Sequence, residues 1–358
     1  RSLVAIGRAL AVKADILVLD EPTAALPEAD VERLLDTLRR LRSSGIGVVY
    51  VTHRLDEVFR IADRVTVLRD GRRLATVPTR QTNADELVQM IVGRSMSDAF
   101  VKPSAASDST AFVAEGVVAG GVGPVSFSVA AGETLGLVGL RGAGHHTIGR
   151  AIFGEMRLTS GRLVLDGKTI APRSPAEAMA NGVGFVSSRR AEEGIAANLA
   201  VRENIYLNPA ASGKGVFEFV PRAAELALAN AAMRRFSIKA ASVEQPAATL
   251  SGGNQQKTVV ARWMETQAKL LILEEPTIGV DVGAKADIYH LLQLSLRQGL
   301  AVLLISSDFE EVERICHRAL IFSRGRAVAE IPRDRLTVAA LTWMASGGSQ
   351  DERPGATR

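Results

Sequence analysis

The chain has 358 residues, of which 47% are hydrophobic and 4% aromatic, and it carries a formal net charge of +4. This length predicts two or three domains with sizeable cores. Its charges are interspersed, so no basic arm for nucleic acid is indicated. A single cysteine, Cys316, excludes a disulfide scaffold, and no apolar run reaches the roughly 18 residues that a membrane span needs.

The opening segment, RSLVAIGRALAVKADILVLDEP, has no methionine at its start and predicts an amphipathic helix followed directly by a buried strand. We therefore expect the chain to begin within a domain. On this interpretation the sequence is a fragment, or an upstream partner supplies the rest of that domain.

The strand ILVLDEPT, residues 16–23, is an apolar run followed by two acids. The run is typical of a parallel strand that is buried on both faces. Its acids then lie at the carboxyl end, where open α/β sheets bind ligands. We expect Asp20 to hold Mg²⁺ through water and Glu21 to orient an attacking water. An acidic turn at a strand end is the alternative interpretation.

A second predicted strand, VVYVTH, ends at Thr52 and His53. A histidine at this point can hydrogen-bond a γ-phosphate. A structural histidine is the alternative, but an Asp-Glu pair about thirty residues earlier favours the ligand interpretation.

A long internal repeat runs through the chain. Residues 5–23, AIGRALAVKADILVLDEPT, match residues 259–277, VVARWMETQAKLLILEEPT, at an offset of 254 positions. Gly71 and Gly325 keep the same offset. A repeat of this length indicates two copies of a whole domain. The phosphate loop of the first copy would fall about 115 residues before Arg1.

The repeat sets the predicted domain boundaries. Residues 1–95 form the back half of the first copy, 96–110 a small polar linker, 111–345 the complete second copy and 346–358 a disordered tail. The segment TNADELVQMIVGR predicts the closing helix of the first copy, with Thr82 or Asn83 as its N-cap.

The segment GLRGAGHHTIG, residues 139–149, has the glycine spacing of a phosphate loop but lacks its lysine and hydroxyl residue. His145 and His146 stand in their places. We do not expect these histidines to bind metal, because adjacent residues on a helix point about 100° apart and no cysteine or carboxylate cluster flanks them.

The segment LSGGNQQK, residues 250–257, is the most specific motif. Ser251, Gly252 and Gly253 predict a helix start, and free N–H groups at a helix start bind anions. An ordinary serine-capped helix is the alternative, but LLILEEPT about eighteen residues later argues against it.

Together these motifs resemble those of ATP-binding cassette (ABC) ATPases. LSGGNQQK, the stretch EPTIGVDVGAK at 275–285 and the stretch GVGF…EEGIAANLAVRENI at 182–205 resemble the second cassette of a narrower group. That group is the double-cassette ATP-binding subunits of bacterial ribose, galactose and xylose importers. DEPTAALPEADVERL resembles its first cassette, and the likeness covers nearly the whole chain.

The resemblance implies a P-loop α/β fold with a mostly parallel sheet in each cassette and a helical subdomain at about 190–245. The two cassettes would pair head to tail, and each nucleotide would lie between them. The first site would then combine Asp20, Glu21 and His53 with Leu250, Ser251, Gly252, Gly253, Gln255 and Asp281.

The resemblance also implies that the second site is degenerate. Glu274 replaces the magnesium aspartate, Ser307 replaces the sensor histidine and Pro27 replaces the aspartate of the crossing loop, whereas Glu275 keeps its identity. The other residues of this site are Gly139, Gly142, Gly144, His145 and His146. Ser187, Ser188 and Arg189 stand where the family often has Pro-Glu-Asp.

The implied function is ATP hydrolysis that powers solute import, with ATP and Mg²⁺ as cofactors. The implied partners are transmembrane permease subunits and, indirectly, a periplasmic or lipoprotein solute-binding protein, with no nucleic acid. The protein would lie peripherally on the cytoplasmic face of the inner membrane. Because no lysine-containing loop is present, the chain alone is expected to show no turnover.

Two alternatives stay open. A soluble double-cassette protein acting on the ribosome or on DNA would usually need two working sites and often a long charged insert between cassettes. A truncated remnant would bind nucleotide or partners without turnover. Neighbouring genes for a permease and a sugar-binding protein test the first alternative, and the DNA upstream of Arg1 tests the second.

Overall fold

The structure is a computed structural model that describes residues 14–23, 28–52, 54–69, 71–92, 106–207, 221–266 and 268–348. The opening helix, Pro27, His53, most of the linker and the tail from residue 349 lie outside the described residues. The described residues fall into two compact units, the first drawn almost entirely from residues before 100.

In the first unit, two parallel strands are joined by a helix, and an antiparallel hairpin follows. Leu17 and Leu19 of the first strand pack on Leu34 and Leu38 of the helix to form a small core. Its elements are β1 (Ile16–Asp20), α1 (Glu28–Ser43), β2 (Gly47–Val51), α2 (Leu55–Ile61), β3 (Arg64–Arg69), β4 (Arg72–Pro78), a 3-10 turn (Thr79–Gln81) and α3 (Ala84–Val92).

The predicted N-cap of α3 is confirmed at Asn83, whose Oδ1 accepts a hydrogen bond from the Glu86 N–H at 2.9 Å. This bond satisfies one of the amide groups that a helix start leaves free.

The second unit contains most of the described strands and helices. Its first part consists of β5 (Thr110–Ala119), β6 (Val122–Ala130), β7 (Thr134–Gly139), α4 (His145–Ile152), β8 (Ser160–Leu165), β9 (Lys168–Ile170), α5 (Pro175–Ala180), β10 (Val183–Val186), a π-helical turn (Arg190–Gly194) and α6 (Val201–Ile205). Its second part consists of α7 (Arg222–Arg235), a 3-10 turn (Ala247–Thr249), α8 (Gly252–Met264), β11 (Leu270–Glu274), α9 (Val282–Leu296), β12 (Ala301–Ser306), α10 (Phe309–Ile315), β13 (Arg318–Ser323), β14 (Arg326–Pro332), a 3-10 turn (Arg333–Arg335) and α11 (Val338–Ala345).

The central sheet of the second unit has six strands in the order β10-β11-β12-β7-β13-β14, and all are parallel except β14. Every residue of β7, β11 and β12 is buried, as expected for parallel strands that are covered on both faces. A separate antiparallel sheet has the order β6-β5-β8-β9. The predicted α/β fold is confirmed, and the parallel strands end at one edge of the sheet.

Two helices, α6 and α7, lie within the stretch at about 190–245 where a helical subdomain is expected. They belong to a second cluster of buried residues that includes Val201, Ile205 and Phe236. This cluster is distinct from the main core around the central sheet.

The repeat in the sequence also appears in the backbone. The Glu21 N–H donates to Val51 O at 2.9 Å, and the Glu275 N–H donates to Ile305 O at 2.8 Å. Both glutamates have a left-handed backbone, with φ values of 43° and 45°. Each pair of equivalent residues is 254 positions apart, so the two copies place the strand-end glutamate in the same conformation.

No helix among the described residues combines the length and the apolar character that crossing a membrane requires.

The central strand β12 should carry much of the stability of the second unit. Leu303 on β12 is fully buried, whereas Leu294 on α9 is 44% exposed. We expect Leu303→Ala to lower the free energy of unfolding by about 2–5 kcal/mol, because the truncation leaves a cavity. Leu294→Ala is the matched control and should change it by less than about 0.5 kcal/mol.

Urea denaturation followed by tryptophan fluorescence measures both variants. The two tryptophans, Trp263 and Trp343, both lie beyond residue 100. Equal losses in the two variants would contradict the position of β12 at the centre of the core.

Candidate functional site

The segment between β7 and α4 has the backbone of a phosphate loop. Gly142 and Gly144 have φ values of 85° and 103°, which L-residues with side chains rarely adopt. A Cβ at Gly139 would lie 2.7 Å from Phe322 O, so that position also excludes a side chain. The glycines named from the sequence are therefore required by the loop's shape, although the lysine is absent.

His145 begins α4 and lies inside the protein. Its residue is fully buried, and neither ring nitrogen has a hydrogen-bond partner. Burial and the neighbouring His146 lower the pKa of His145 to about 3. The ring is therefore neutral near pH 7 and cannot replace the positive charge of a lysine.

His146 points to the strand-end acids. Its Nδ1 lies 3.1 Å from Oε1 of Glu274, and its Nε2 lies 3.7 Å from Oε1 of Glu275. The His145 and His146 rings are tilted against each other, with centroids 4.3 Å apart. The two rings thus lie beside both carboxylates at the end of β11.

Arg150, one turn after His146 on α4, holds Glu274. Its Nε donates to Glu274 Oε1 at 2.8 Å and its Nη2 donates to Oε2 at 2.6 Å. Its Nη1 also donates to both carboxylate oxygens of Glu155, at 2.7 and 2.8 Å. In the Arg150–Glu274 pair, two N–H groups of one guanidinium face the two oxygens of one carboxylate, and such bidentate pairs are among the strongest side-chain contacts.

The Ser187–Ser188 segment closes the same network. The Ser188 hydroxyl donates to Glu274 Oε2 at 2.8 Å, and the Ser188 N–H donates to it at 3.2 Å. Ser187 contacts Arg150 at 3.3 Å and also hydrogen-bonds Glu193. The Ser187–Ser188 segment therefore stabilises the Glu274 carboxylate.

Glu274 is only 1% exposed yet remains a carboxylate. Burial by itself would raise its pKa, but hydrogen bonds from His146, Arg150 and Ser188 outweigh burial and hold the pKa well below its usual range. The same contacts raise the pKa of Arg150 above its usual value against the opposing effect of burial. This is a buried, fully charged pair.

Glu275 lies next to this pair and makes different contacts. Its Oε1 accepts a hydrogen bond from the Ser307 N–H at 2.8 Å. Ser307 follows β12 directly and contacts Glu275 through its backbone N–H.

The turn that carries Glu275 is anchored by Glu311 on α10. This carboxyl is buried and accepts hydrogen bonds from Thr277 at 3.0 Å, Tyr289 at 2.7 Å and Ser306 at 2.7 Å. Burial raises the pKa of Glu311 to about 6. The anchor fixes the path of the chain just after Glu275.

The first unit has an equivalent anchor. The Glu57 side chain accepts hydrogen bonds from Thr23 at 3.0 Å and Tyr50 at 2.7 Å. Asp20, at the end of β1, and Glu21, in the following turn, are exposed. The described part of this unit therefore presents two exposed acids on a fixed turn, while His53 lies outside the described residues.

The LSGG segment begins α8 as predicted. Ser251 is the N-cap, and its Oγ accepts hydrogen bonds from the Asn254 N–H at 3.5 Å and the Asn254 side chain at 2.9 Å. The Gln255 side chain donates to Leu250 O at 3.3 Å. A Cβ at Gly252 would lie 3.2 Å from both Arg190 Nη2 and Gly279 O, so glycine keeps this helix start open.

One group of possible metal ligands exists among the described residues, and it is made of His145, His146 and Glu275. Their ligand atoms all lie within 4.8 Å of one another. The sequence argument against metal at these histidines considered the residues that flank them in the sequence. The fold adds Glu275, which follows β11 and lies beside them.

The structure thus brings together five residues named from the sequence for the second site: His145, His146, Glu274, Glu275 and Ser307. Sequence reasoning missed Arg150, Glu155 and Glu193. The spacing of four residues between His146 and Arg150 on a predicted helix is the signal that could have identified Arg150.

Comparison with known proteins gives the family. The family model described as "ABC transporter" matches residues 122–278. A ribose import ATP-binding protein of Rubrobacter xylanophilus is 39% identical over 345 residues, covering 96% of this chain and 69% of that protein. The chain belongs to the family of ABC-transporter ATP-binding proteins. A ribose import ATP-binding protein of Bacillus subtilis is 37% identical over 349 residues, with 97% and 71% coverage.

Solved ABC cassettes share the fold. An ATP-binding cassette of an ABC transporter in its ADP conformation has a TM-score of 0.54 and 21% identity, and the match covers 66% of this chain and 95% of that one. A dimeric cassette in a post-hydrolysis state with ADP and phosphate has a TM-score of 0.53 and 19% identity, with coverage of 62% and 98%. As an ABC ATPase, this chain thus has the α/β cassette that its motifs predicted.

The Arg150–Glu274 pair should be essential for stability. We expect Arg150→Ala to lower the free energy of unfolding by about 3–5 kcal/mol at neutral pH, because it leaves a buried carboxylate without its partner. Arg162→Ala removes the exposed pair between Arg162 and Glu115 and should cost less than about 1 kcal/mol. Urea denaturation measures both variants.

Acidification should reduce the cost of Arg150→Ala. In the native protein the depressed pKa of Glu274 gives stability that is present above its usual pKa and is lost as the pH falls. Without Arg150 we expect burial to raise this pKa, so protonation then stabilises the variant. The difference in free energy of unfolding between the native protein and the variant should be smaller at about pH 5 than at about pH 7. If this difference instead grows on acidification, this account of the pair is contradicted.

Proposed function

We propose that this chain is the ATP-binding subunit of an ABC transporter that imports a sugar, and that one of its two nucleotide sites does the hydrolysis. The observation that carries the proposal is an asymmetry between the two copies. Glu274 is buried against Arg150, and both of its oxygens accept hydrogen bonds, whereas the first copy has an aspartate, Asp20, at the equivalent position. The printed names of the relatives, which include ribose and galactose import proteins, support the choice of a sugar.

The hydrolysing site combines the acids of the first copy with the LSGG helix of the second. Asp20 would hold the Mg²⁺ that accompanies ATP, Glu21 would orient the attacking water and His53 would hydrogen-bond the γ-phosphate. Leu250, Ser251, Gly252, Gly253 and Gln255 at the start of α8, with Asp281 just before α9, would contact the nucleotide from the other side. Phosphoryl transfer depends mainly on such positioning and on charge stabilisation.

The start of α8 is suited to this role. It is a helix of 13 residues whose first two positions are glycines, so these two residues add no side chains of their own over the N–H groups of the helix start. The partial positive charge of a helix start attracts phosphate. Ser251 caps the helix through Asn254 and thereby fixes the direction of these N–H groups.

The second site is unsuited to Mg²⁺. Both oxygens of Glu274 already accept hydrogen bonds, Oε1 from Arg150 and His146 and Oε2 from Arg150 and Ser188. Mg²⁺ requires near-octahedral oxygen ligands at about 2.0–2.1 Å. Binding the ion would require this buried network to break, so the site is proposed to stay idle in hydrolysis.

Hydrolysis at one of the two sites would be sufficient for the subunit to drive transport. Closure of the two cassettes around ATP completes the hydrolysing site, and hydrolysis releases them, which is a ligand-driven switch between two states. Transmembrane permease subunits, on which this protein would lie at the cytoplasmic face of the membrane, would follow that motion. A solute-binding protein would deliver the sugar to the permease from the other side.

Two matched substitutions test the asymmetry. We expect Glu21→Gln to reduce ATP hydrolysis by about 100-fold or more, because it removes the group that activates water. Glu275→Gln, the same change at the equivalent position of the other copy, should reduce it less than twofold. Hydrolysis is measured in the transporter assembly purified from cells that carry each substitution in the gene.

Equal losses of ATP hydrolysis from the two substitutions, or a larger loss from Glu275→Gln, would overturn the assignment of the hydrolysing site. Transport of labelled ribose by the same cells tests the cargo separately, because a subunit of a different importer would leave ribose uptake unchanged in the Glu21→Gln strain.

A further inference from the structure

We propose that His145, His146 and Glu275 form a binding site for a divalent transition-metal ion of the zinc type, with one coordination position left open. The site lies in the phosphate loop of the second copy. It goes beyond the proposed function, since neither ATP hydrolysis nor sugar import requires it.

His145 provides the first argument. It is fully buried, and both of its ring nitrogens lack a hydrogen-bond partner. A buried polar group without a partner is unfavourable. An ion bound to one ring nitrogen would give that nitrogen a partner. No other histidine among the described residues has both ring nitrogens buried and without a partner.

His146 provides the second argument, which concerns the supporting contacts. Glu274 is held as a carboxylate by Arg150, so it can only accept, and the His146 Nδ1 must donate to it at 3.1 Å. In the neutral ring the lone pair is then on Nε2, which faces Glu275. Metal-binding histidines characteristically donate their other N–H to a carboxylate in this way.

Glu275 supplies the third ligand atom. Its Oε1 lies 3.7 Å from His146 Nε2, and its position is fixed by the hydrogen bond from the Ser307 N–H. Around zinc, ligand atoms at about 2.0–2.1 Å in a tetrahedron lie roughly 3.3 Å apart. The three atoms here lie within 4.8 Å of one another, so they need to approach by about 1.5 Å at most.

The ligand set selects the kind of ion. Two imidazoles and one carboxylate suit zinc and its neighbours, whereas Mg²⁺ prefers oxygen ligands. Three protein ligands leave the fourth tetrahedral position for water or an anion. The His146 side chain is 34% exposed and that of Glu275 is 12% exposed, so solvent reaches this position.

Binding of Co²⁺ and Zn²⁺ tests the proposal without using ATP. The complete protein is freed of metal with a chelator and titrated with Co²⁺, which gives an intense visible absorption only in tetrahedral sites. Competition with a chromogenic chelator then measures zinc affinity and stoichiometry. We expect one tetrahedral ion per chain, displaced by Zn²⁺.

The variants identify the ligands. We expect His145→Ala to lower zinc affinity by more than about 100-fold, beyond the 10- to 100-fold effect of removing a supporting group. Glu275→Gln keeps the shape of the side chain and should lower the affinity by at least about 10-fold. His290→Ala, which removes an exposed histidine on α9, is the matched control and should leave affinity and stoichiometry unchanged.

Tryptophan fluorescence shows whether each variant is folded. A folded His145→Ala or Glu275→Gln protein that binds zinc as tightly as the native protein would overturn the proposal. Absence of a tetrahedral Co²⁺ spectrum in the native protein would do the same. Either result leaves unchanged the proposal that Glu21, and not Glu275, acts in ATP hydrolysis. The two proposals can therefore fail separately.

Discussion

The arrangement of side chains at the end of β11 depends on the buried ion pair between Arg150 and Glu274. Removing two charges from water is costly, and only good geometry with further hydrogen bonds repays it. Here the guanidinium fork matches the carboxylate, and Ser188 and His146 satisfy the remaining acceptor positions. A fixed protein cation therefore lies against the carboxylate at the end of β11. This arrangement holds the strand-end acid in place, and it is the basis of our proposal that Glu274 does not bind magnesium.

The parallel sheet makes this arrangement possible. The strands β10, β11, β12 and β7 end at one edge, and that edge brings Ser188, Glu274, Ser307 and His145 together from separate parts of the chain. In the first copy the equivalent turn has the same backbone conformation and the same type of anchor. The two copies thus share the conformation of this turn and differ in the residue at its start, Asp20 in the first copy and Glu274 in the second.

Much of the fold follows from local sequence patterns. Apolar runs predicted β1, β2 and β11, and Asn83 and Ser251 marked helix starts through capping, which involves neighbouring residues only. The Arg150 network could not be predicted in this way, because Arg150 and Glu274 are 124 positions apart. The position of Glu275 beside His146 could not be predicted for the same reason, since the two residues are 129 positions apart and meet only after the strands have assembled. A motif identifies residue types, whereas their partners depend on the tertiary fold.

The account is tested most directly by counting the metal ions that accompany ATP. Electron paramagnetic resonance of Mn²⁺, used in place of Mg²⁺, measures the ATP-dependent ions bound by the transporter assembly. We expect one such ion per chain, lost in Asp20→Asn and retained in Glu274→Gln. Two ATP-dependent ions per chain, or loss of an ion in Glu274→Gln, would contradict the claim that the Arg150–Glu274 pair keeps the second site free of magnesium.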